Sequence, residues 1–356
     1  MRKVILVAVV VVVLGGVAAF IPVGGDSGDE AGSTTPGPAM DLSQYSDEPT
    51  GQPLRLLFIH HSVGGTLLAD QGPEGTGPYA PQCIWDTHPN GGGLRSLLTG
   101  AGYEVHEASY GSRVGESTDL FDWLPKFSDH MDEVLRVDVQ DTSLPDDLRN
   151  QIVMFKSCFP NSDFVGEGEA PGDTEGPELT VWNARATLTA LLERFAQHPD
   201  VLFVYLTAPP LAPPSPQPAW KWLAKTVLGR NVDPAERRRA AALARQFNNW
   251  VRSPNGWLRD YEHQNVVVFD LYDVLTDHGA SNSLRYPTGG GTDSHPSAEG
   301  TRRAAEEILP FLNRAVRRAG LVGGAEADPA SSESDAGPPQ GDGGAPIAGD
   351  GAPVVE

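Results

Sequence analysis

Five short apolar runs are the feature that most restricts how this chain can fold. Segments with the 3.6-residue spacing of helices lie between them. A run that is apolar throughout predicts a strand buried on both faces, as in a parallel sheet. The runs occupy residues 54–60, 103–108, 151–156, 201–207 and 265–271. We therefore predict an α/β fold with a five-stranded parallel sheet and helices on both faces.

Two prolines fall inside the predicted helices. The helical segments are residues 92–102, 117–136, 179–197, 233–250 and 298–318. Proline lacks a backbone N–H and clashes with the preceding turn. We therefore expect a break near Pro125, and we expect Pro310 to kink or divide the last helix.

The two ends of the chain differ from its middle. Met1, Arg2 and Lys3 precede a long apolar run, so residues 1–23 are predicted to be a signal peptide or a membrane anchor. The protein is then extracytoplasmic: secreted, periplasmic or tethered to the membrane by this segment. Residues 24–52 and 321–356 are poor in large apolar residues, which predicts a disordered linker and a disordered acidic tail. One folded domain is left, over residues 53–320.

The charge of the chain limits its partners. The formal net charge is −21, and the linker and tail contribute six and seven acidic residues. Phosphate binding needs a basic face, so nucleic acid is not an expected partner. We expect a monomer without a cofactor, and its partner is expected to be a small molecule or a carbohydrate.

The first apolar run ends in a sharp turn that presents a hydroxyl group. Residues 54–68 read LRLLFIHHSVGGTLL, and Ser62 lies between the run and a glycine pair. Ligands of open α/β sheets bind at the carboxyl ends of the strands, where Ser62 would stand. Ser62 is therefore a candidate nucleophile. The alternative is that Ser62 only caps the helix that follows.

A nucleophilic serine needs a base, and the candidate is His295. It lies far along the chain in TDSHP, two residues after Asp293. A carboxylate bound to an imidazole fixes its tautomer and orientation. These three residues predict a serine hydrolase.

Ester attack also needs donors for the oxygen that becomes negative. Gly111 follows the second run and can offer a backbone N–H, although Gly115 lies close behind it. Asn161 follows the third run and can offer a side-chain N–H, or it can merely stabilise the turn after the preceding proline. Together with the Ser62 N–H they form a predicted oxyanion hole.

The order of these residues resembles the SGNH, or GDSL-like, hydrolase superfamily. The resemblance covers about residues 53–320, and the blocks HHSVGG, SYG, FKSCFPNS, LTAPP and DSHPSAEG resemble an exported bacterial subgroup. It implies a flavodoxin-like three-layer α/β/α sandwich and hydrolysis or transfer of acyl groups, commonly acetyl esters on carbohydrate. By the same resemblance Ser62 is the nucleophile, with Gly111 and Asn161 as oxyanion donors. His295 is then the base, and Asp293 orients it.

Two positions depart from the superfamily pattern. The Gly-Asp pair that usually precedes the serine is replaced by His60 and His61. The aspartate usually lies three residues before the histidine, where this chain has Thr292, whereas Asp293 lies two before. Residues two apart in an extended turn can point to one side, so the pairing remains feasible.

Three alternatives stay open on the sequence alone. A metal-dependent hydrolase would use imidazole and carboxylate ligands from His60, His61, His88, Asp293 and His295. A non-catalytic, cell-surface carbohydrate-binding protein would keep the hydrolase scaffold without its chemistry. Cys83 and Cys158 can form a disulfide in an oxidising compartment, or Cys158 can be a buried thiol.

Overall fold

The computed structural model of this protein describes residues 41–176, 178–214 and 233–322. The predicted signal peptide or anchor, residues 24–40 of the predicted linker and the tail from residue 323 lie outside the described residues. Within the described ranges, no helix is both long and apolar enough to cross a membrane.

A five-stranded parallel sheet forms the centre of the protein. Numbered in chain order, its strands lie in the spatial order 2-1-3-4-5, so the chain moves outward from the first strand in both directions. This is the flavodoxin-like order. The strands are β1 (Leu54–Ile59), β2 (Tyr103–Ala108), β3 (Ile152–Lys156), β4 (Leu202–Leu206) and β5 (Val266–Phe269). The predicted parallel sheet is confirmed.

Eight α-helices are described between and after the strands. Pro125 does not break its segment, because it lies in the first turn of the helix Trp123–Asp129, where a backbone N–H would have no partner within the helix and its absence costs little. The break comes at His130. The helices are α1 (Ser62–Leu68), α2 (Leu94–Gly100), α3 (Trp123–Asp129), α4 (Met131–Leu135), α5 (Val181–Ala196), α6 (Pro234–Arg252), α7 (Leu271–Leu275) and α8 (Ala298–Arg318).

Helix α8 is continuous although Pro310 lies inside it. Its buried residues recur at helical spacing and pack under the sheet, among them Ala304, Ile308, Leu312 and Ala315. Burying such side chains stabilises a helix by about 1.5–3 kcal/mol for each large aliphatic residue. That burial offsets the roughly 3 kcal/mol that an interior proline costs. The predicted division of this helix is therefore wrong.

Two hydrophobic cores cover the two faces of the sheet. Leu57 and Phe155 point into one core with α3, α5 and α6, whereas Leu56 and Phe58 point into the other with α1, α2, α7 and α8. Adjacent strand residues alternate between the cores because side chains alternate along a strand. The result is the expected flavodoxin-like three-layer α/β/α sandwich.

The segment before β1 differs from the linker predicted over residues 24–52. From residue 41 onward it lies against α8, and Leu42 is buried in the second core. The Asn313 side chain donates to the Asp47 carbonyl at 2.6 Å, and Arg317 donates to the carbonyls of Glu48 and Pro49. One apolar anchor and these backbone contacts order a stretch whose composition alone favours disorder.

Candidate active site

The turn after β1 places Ser62 at the carboxyl edge of the sheet. Glycine is required at positions 64 and 65, because neighbouring atoms approach the backbone too closely for a side chain. A Cβ on Gly64 would lie 2.2 Å from the His60 Cβ, and one on Gly65 would lie 2.0 Å from the Cys83 carbonyl oxygen. Only glycine lets the first turn of α1 pack this tightly.

Ser62, His295 and Asp293 lie in hydrogen-bonding contact. The Ser62 Oγ is 2.9 Å from His295 Nε2, and His295 Nδ1 is 2.7 Å from Asp293 Oδ1. A carboxylate only accepts, so Nδ1 carries the ring proton and Nε2 is left to accept the proton of the Ser62 hydroxyl. The arrangement suits a nucleophile, a base and a group that orients the base.

The environment of the pair favours an ionised Asp293 and a fixed ring. Partial burial raises the pKa of the Asp293 carboxyl, but hydrogen bonds from the His295 backbone and ring outweigh it and hold that pKa below its usual range. The edge of the Phe159 ring contacts the His295 ring, with centroids 5.0 Å apart and planes at 80°. Both contacts limit rotation of the imidazole.

A buried polar network surrounds His60 and His61, directly before the serine. His60 Nδ1 contacts the His61 carbonyl at 2.9 Å, and His60 Nε2 lies 3.0 Å from the Glu107 carboxylate, which also pairs with Arg95. The same His61 carbonyl accepts from the backbone nitrogens of Gly64 and its neighbour at 2.9 and 3.1 Å. Burial raises the pKa of Glu107, but His60 and Arg95 outweigh it and lower the pKa overall. This network holds the peptide that leads into Ser62.

A thiol and a buried ammonium group lie under the serine. Cys158 Sγ is 3.9 Å from Ser62 Oγ and 3.8 Å from Lys156 Nζ. Lys156 is fully buried, and burial lowers its pKa. Both Cys83 and Cys158 are free thiols, so the structure favours the buried-thiol alternative for Cys158.

Two of the three predicted oxyanion donors, Gly111 and Asn161, are bound to carboxylates. The Gly111 N–H donates to the Glu116 carboxylate, and Gly111 has a φ of 79°, which favours glycine. Gly115, the other candidate, donates its N–H to the Ser112 hydroxyl at 2.8 Å. A backbone nitrogen has one proton, so Gly111 reaches a substrate only after Glu116 leaves it.

Asn161 is held from two sides. Its Oδ1 accepts from the Leu120 N–H at 2.8 Å, and its Nδ2 donates to Asp119 Oδ1 at 2.8 Å. The side chain is buried. An amide nitrogen carries two protons, so the bond to Asp119 takes up one of them and fixes the direction of the other.

Tyr110 is a neighbour of the site that sequence reasoning missed. Its ring stacks on the His61 ring, with centroids 3.6 Å apart and planes at 22°. The signal that points to it is its position, between Ser109 and Gly111, directly beyond the end of β2. All parallel strands end at one edge, so a residue there is a neighbour of Ser62.

The potential metal ligands are not gathered into one group. Among residues 41–176, 178–214 and 233–322, no three His, Cys, Asp or Glu side chains lie close enough to hold a metal ion. His60 is turned inward to Glu107, and His88 stacks against Trp85 with ring centroids 4.7 Å apart.

The fold and the site define an α/β/α sandwich with a serine, histidine and aspartate in contact at the carboxyl edge of its sheet. No protein-family model and no curated protein matches the sequence. Carbohydrate esterases are among the solved structures with similarity to the chain.

Several of these structures are variants of Axe2 from Geobacillus stearothermophilus. One, an acetyl-xylooligosaccharide esterase, has 14% identity and a TM-score of 0.34, and the match covers 78% of this chain and all of the other. Another, an acetylxylan esterase, has 14% identity and a TM-score of 0.33 over 75% of this chain and 94% of the other. A further carbohydrate esterase has 12% identity and a TM-score of 0.30, with 73% and 64% covered. Similarity at this level carries no function to this chain.

Proposed function

We propose that this protein is a serine esterase of the SGNH type, with Ser62 as nucleophile, His295 as base and Asp293 as the group that orients it. The observation that carries the proposal is the chain of two contacts, 2.9 Å from Ser62 Oγ to His295 Nε2 and 2.7 Å from His295 Nδ1 to Asp293 Oδ1. These are hydrogen-bond distances between groups whose roles require such contact.

The reaction proceeds in two halves. Ser62 Oγ forms a bond to the ester carbonyl carbon, its proton moves to His295 Nε2, and the carbonyl electron pair moves onto oxygen. The bond to the alcohol then breaks, and the alcohol leaves with the proton from His295. Water repeats the sequence on the acyl-enzyme and releases the acid; a sugar hydroxyl in place of water would give acyl transfer.

The negative oxygen needs donors, and the Ser62 N–H, Gly111 and Asn161 are the ones we propose. Asn161 is the best supported of them, because its amide is already oriented and has a second proton to offer. Gly111 requires displacement of the Glu116 carboxylate, which is exposed and therefore free to turn into solvent.

The substrate class rests on the resemblance to SGNH hydrolases. It implies small acyl groups, above all acetyl, on a carbohydrate alcohol. An acyl ester of an extracytoplasmic polysaccharide also suits the predicted export of the chain. In this proposal the enzyme acts as a monomer without a cofactor.

The test measures acetate release by the full-length protein from acetylated polysaccharides and short-chain nitrophenyl esters, together with labelling by a fluorophosphonate probe. Ser62→Ala should lower turnover by at least about a thousandfold and abolish labelling. Ser128→Ala, which alters an exposed serine on α3, is the matched control and should behave as wild type. Loss of ester hydrolysis on addition of a metal chelator would favour the metal-dependent alternative. Carbohydrate binding without labelling or turnover would favour the binding protein.

A further inference from the structure

The phenol of Tyr110 lies close to Ser62, the proposed nucleophile. Its ring is half-buried and stacks on His61, the residue before Ser62, at a centroid distance of 3.6 Å. Burial raises the pKa of the Tyr110 phenol, and the Ser62 hydroxyl and backbone N–H, which lie within reach of the phenol oxygen, lower that pKa in part. The phenol therefore lies beside the atom that attacks the ester.

The His61 ring is a rigid platform for this phenol. Its Nε2 contacts the Gly115 carbonyl at 2.8 Å, and its Nδ1 contacts the Thr118 hydroxyl at 3.1 Å. Burial lowers the pKa of His61 to about 4, so the ring is neutral at pH 7. A ring held at both nitrogens cannot rotate, and an uncharged ring stacks on a phenol without a desolvation cost for a charge.

The backbone of Tyr110 is held as firmly as its ring. The buried Gln140 side chain donates from Nε2 to the Tyr110 carbonyl at 2.9 Å and accepts from the Ser109 N–H at 2.8 Å. The phenol is therefore held in place before substrate binds, by the Gln140 hydrogen bonds to the backbone and by the stacking of its ring on His61. Preorganisation of this kind is what makes a donor effective in a transition state.

The oxyanion donors proposed above are partly committed, and the Ser62 N–H is directed to the Tyr110 oxygen. The single N–H of Gly111 is bound to Glu116, and one of the two Asn161 protons is bound to Asp119. A further donor next to Ser62 would take up part of the charge on the carbonyl oxygen.

We propose that Tyr110 is a further catalytic residue, whose hydroxyl donates a hydrogen bond to the ester carbonyl oxygen as Ser62 attacks; this rests on the esterase function proposed above. The phenolic proton stays on Tyr110 throughout, while the Ser62 proton goes to His295 and the carbonyl electron pair goes to oxygen. Burial, with Cys158 and Cys83 adding to it, raises the pKa of the phenol against a smaller opposing effect of Ser62, so the donor keeps its proton at neutral pH. His61 is a positioning residue for Tyr110.

The decisive variant is Tyr110→Phe, which keeps the stacked ring and removes only the hydroxyl. Loss of one oxyanion donor lowers kcat by about a hundredfold or more. We expect that loss with KM within about twofold of wild type and an unchanged Tm. Affinity for an alkyl boronic acid, which forms a tetrahedral anion on the serine, should fall in parallel, since a transition-state analogue reports the same contact.

Tyr103→Phe is the matched control. It also removes one phenolic hydroxyl, but that hydroxyl donates to Asn313 at 2.8 Å, away from the site. It should lower Tm and leave kcat unchanged. Tyr110→Phe with wild-type kcat and boronate affinity, beside an inactive Ser62→Ala protein, would overturn the role of Tyr110 and leave the esterase function standing. A wild-type protein that neither reacts with the phosphonate probe nor turns over any ester would overturn both.

Discussion

One carboxylate oxygen of Asp293 accepts two hydrogen bonds from His295, from its backbone nitrogen at 3.0 Å and from its ring Nδ1 at 2.7 Å. The backbone contact closes a turn in which a side-chain oxygen receives the N–H two residues on. That turn brings the ring back over the same carboxylate. A spacing of two residues is therefore enough to orient the histidine. Thr292, at the usual aspartate position, donates its hydroxyl to the Gly289 carbonyl at 2.8 Å instead.

The first prediction concerns this pair. Asp293→Ala should lower kcat by about a thousandfold or more, because the imidazole loses the group that sets its tautomer and direction. Thr292→Val, which removes the hydroxyl at the usual aspartate position, should leave kcat within about threefold of wild type. The measurement is kcat on whichever ester the wild-type protein hydrolyses, with Tm as a check on folding. A larger loss in the Thr292 variant than in the Asp293 variant would reverse the assignment.

The second prediction separates chemistry from structure at Asn161. Asn161→Ala should lower kcat by about a hundredfold to a thousandfold through loss of an oxyanion donor. Stability should also fall by about 1–2 kcal/mol, because the buried Leu120 N–H loses its acceptor.

Asp119→Ala is the comparison for Asn161. It disturbs the same turn and frees the Asn161 amide, so stability should fall by a similar amount, while kcat should fall by only about tenfold because the donor itself remains. Urea unfolding and steady-state kinetics on both variants provide the test. Equal losses of kcat in the two would show that Asn161 acts only through the turn.

The third prediction is a pH dependence of stability that comes from His61. Its pKa is about 4 in the folded protein and about 6.5 in the unfolded chain, so the unfolded state takes up a proton first as the pH falls. The contribution of neutral His61 is complete above about pH 6.5 and is lost progressively toward pH 4. If His61 were fully buried, the free energy of unfolding would fall by about 2 kcal/mol between pH 7 and pH 5. Because the ring is partly exposed, we expect a fall of about 1 kcal/mol.

His61→Phe supplies the comparison, since it keeps a ring against Tyr110 and has nothing to titrate. Its stability should change less than that of wild type between pH 7 and 5, so the two denaturation curves should approach each other as the pH falls. Parallel behaviour of the two proteins across that range would count against a neutral, buried His61.

The fourth prediction concerns the segment before β1. A protein that begins at residue 41 should be as stable as the full chain, whereas one that begins at residue 53 should lose about 3 kcal/mol. That loss combines the buried Leu42 side chain with the hydrogen bonds of α8 to Asp47 and Glu48. Tm should fall by roughly 6–12 °C for a domain of this size. Identical melting of the two truncated proteins would show that the segment does not stabilise α8.

The sequence by itself determined the sheet and the most prominent members of the candidate site. Apolar runs report burial on both faces, and the positions of β1 to β5 follow from them because that information is local. Ser62 and His295 could be predicted as site residues for a similar reason. The glycine pair and the TDSHP turn are local sequence patterns that can be recognised without knowledge of the rest of the fold.

Only the tertiary structure decided which groups meet. Ser62 and His295 are 233 residues apart, and their 2.9 Å contact depends on packing that no local pattern encodes. For the same reason the sequence did not reveal that Tyr110 stacks on His61 or that Cys158 lies under the serine. It also did not reveal that Gly111 and Asn161 are bound to carboxylates. Hydrogen bonds are short and directional, so each partner depends on where the whole chain has placed the other.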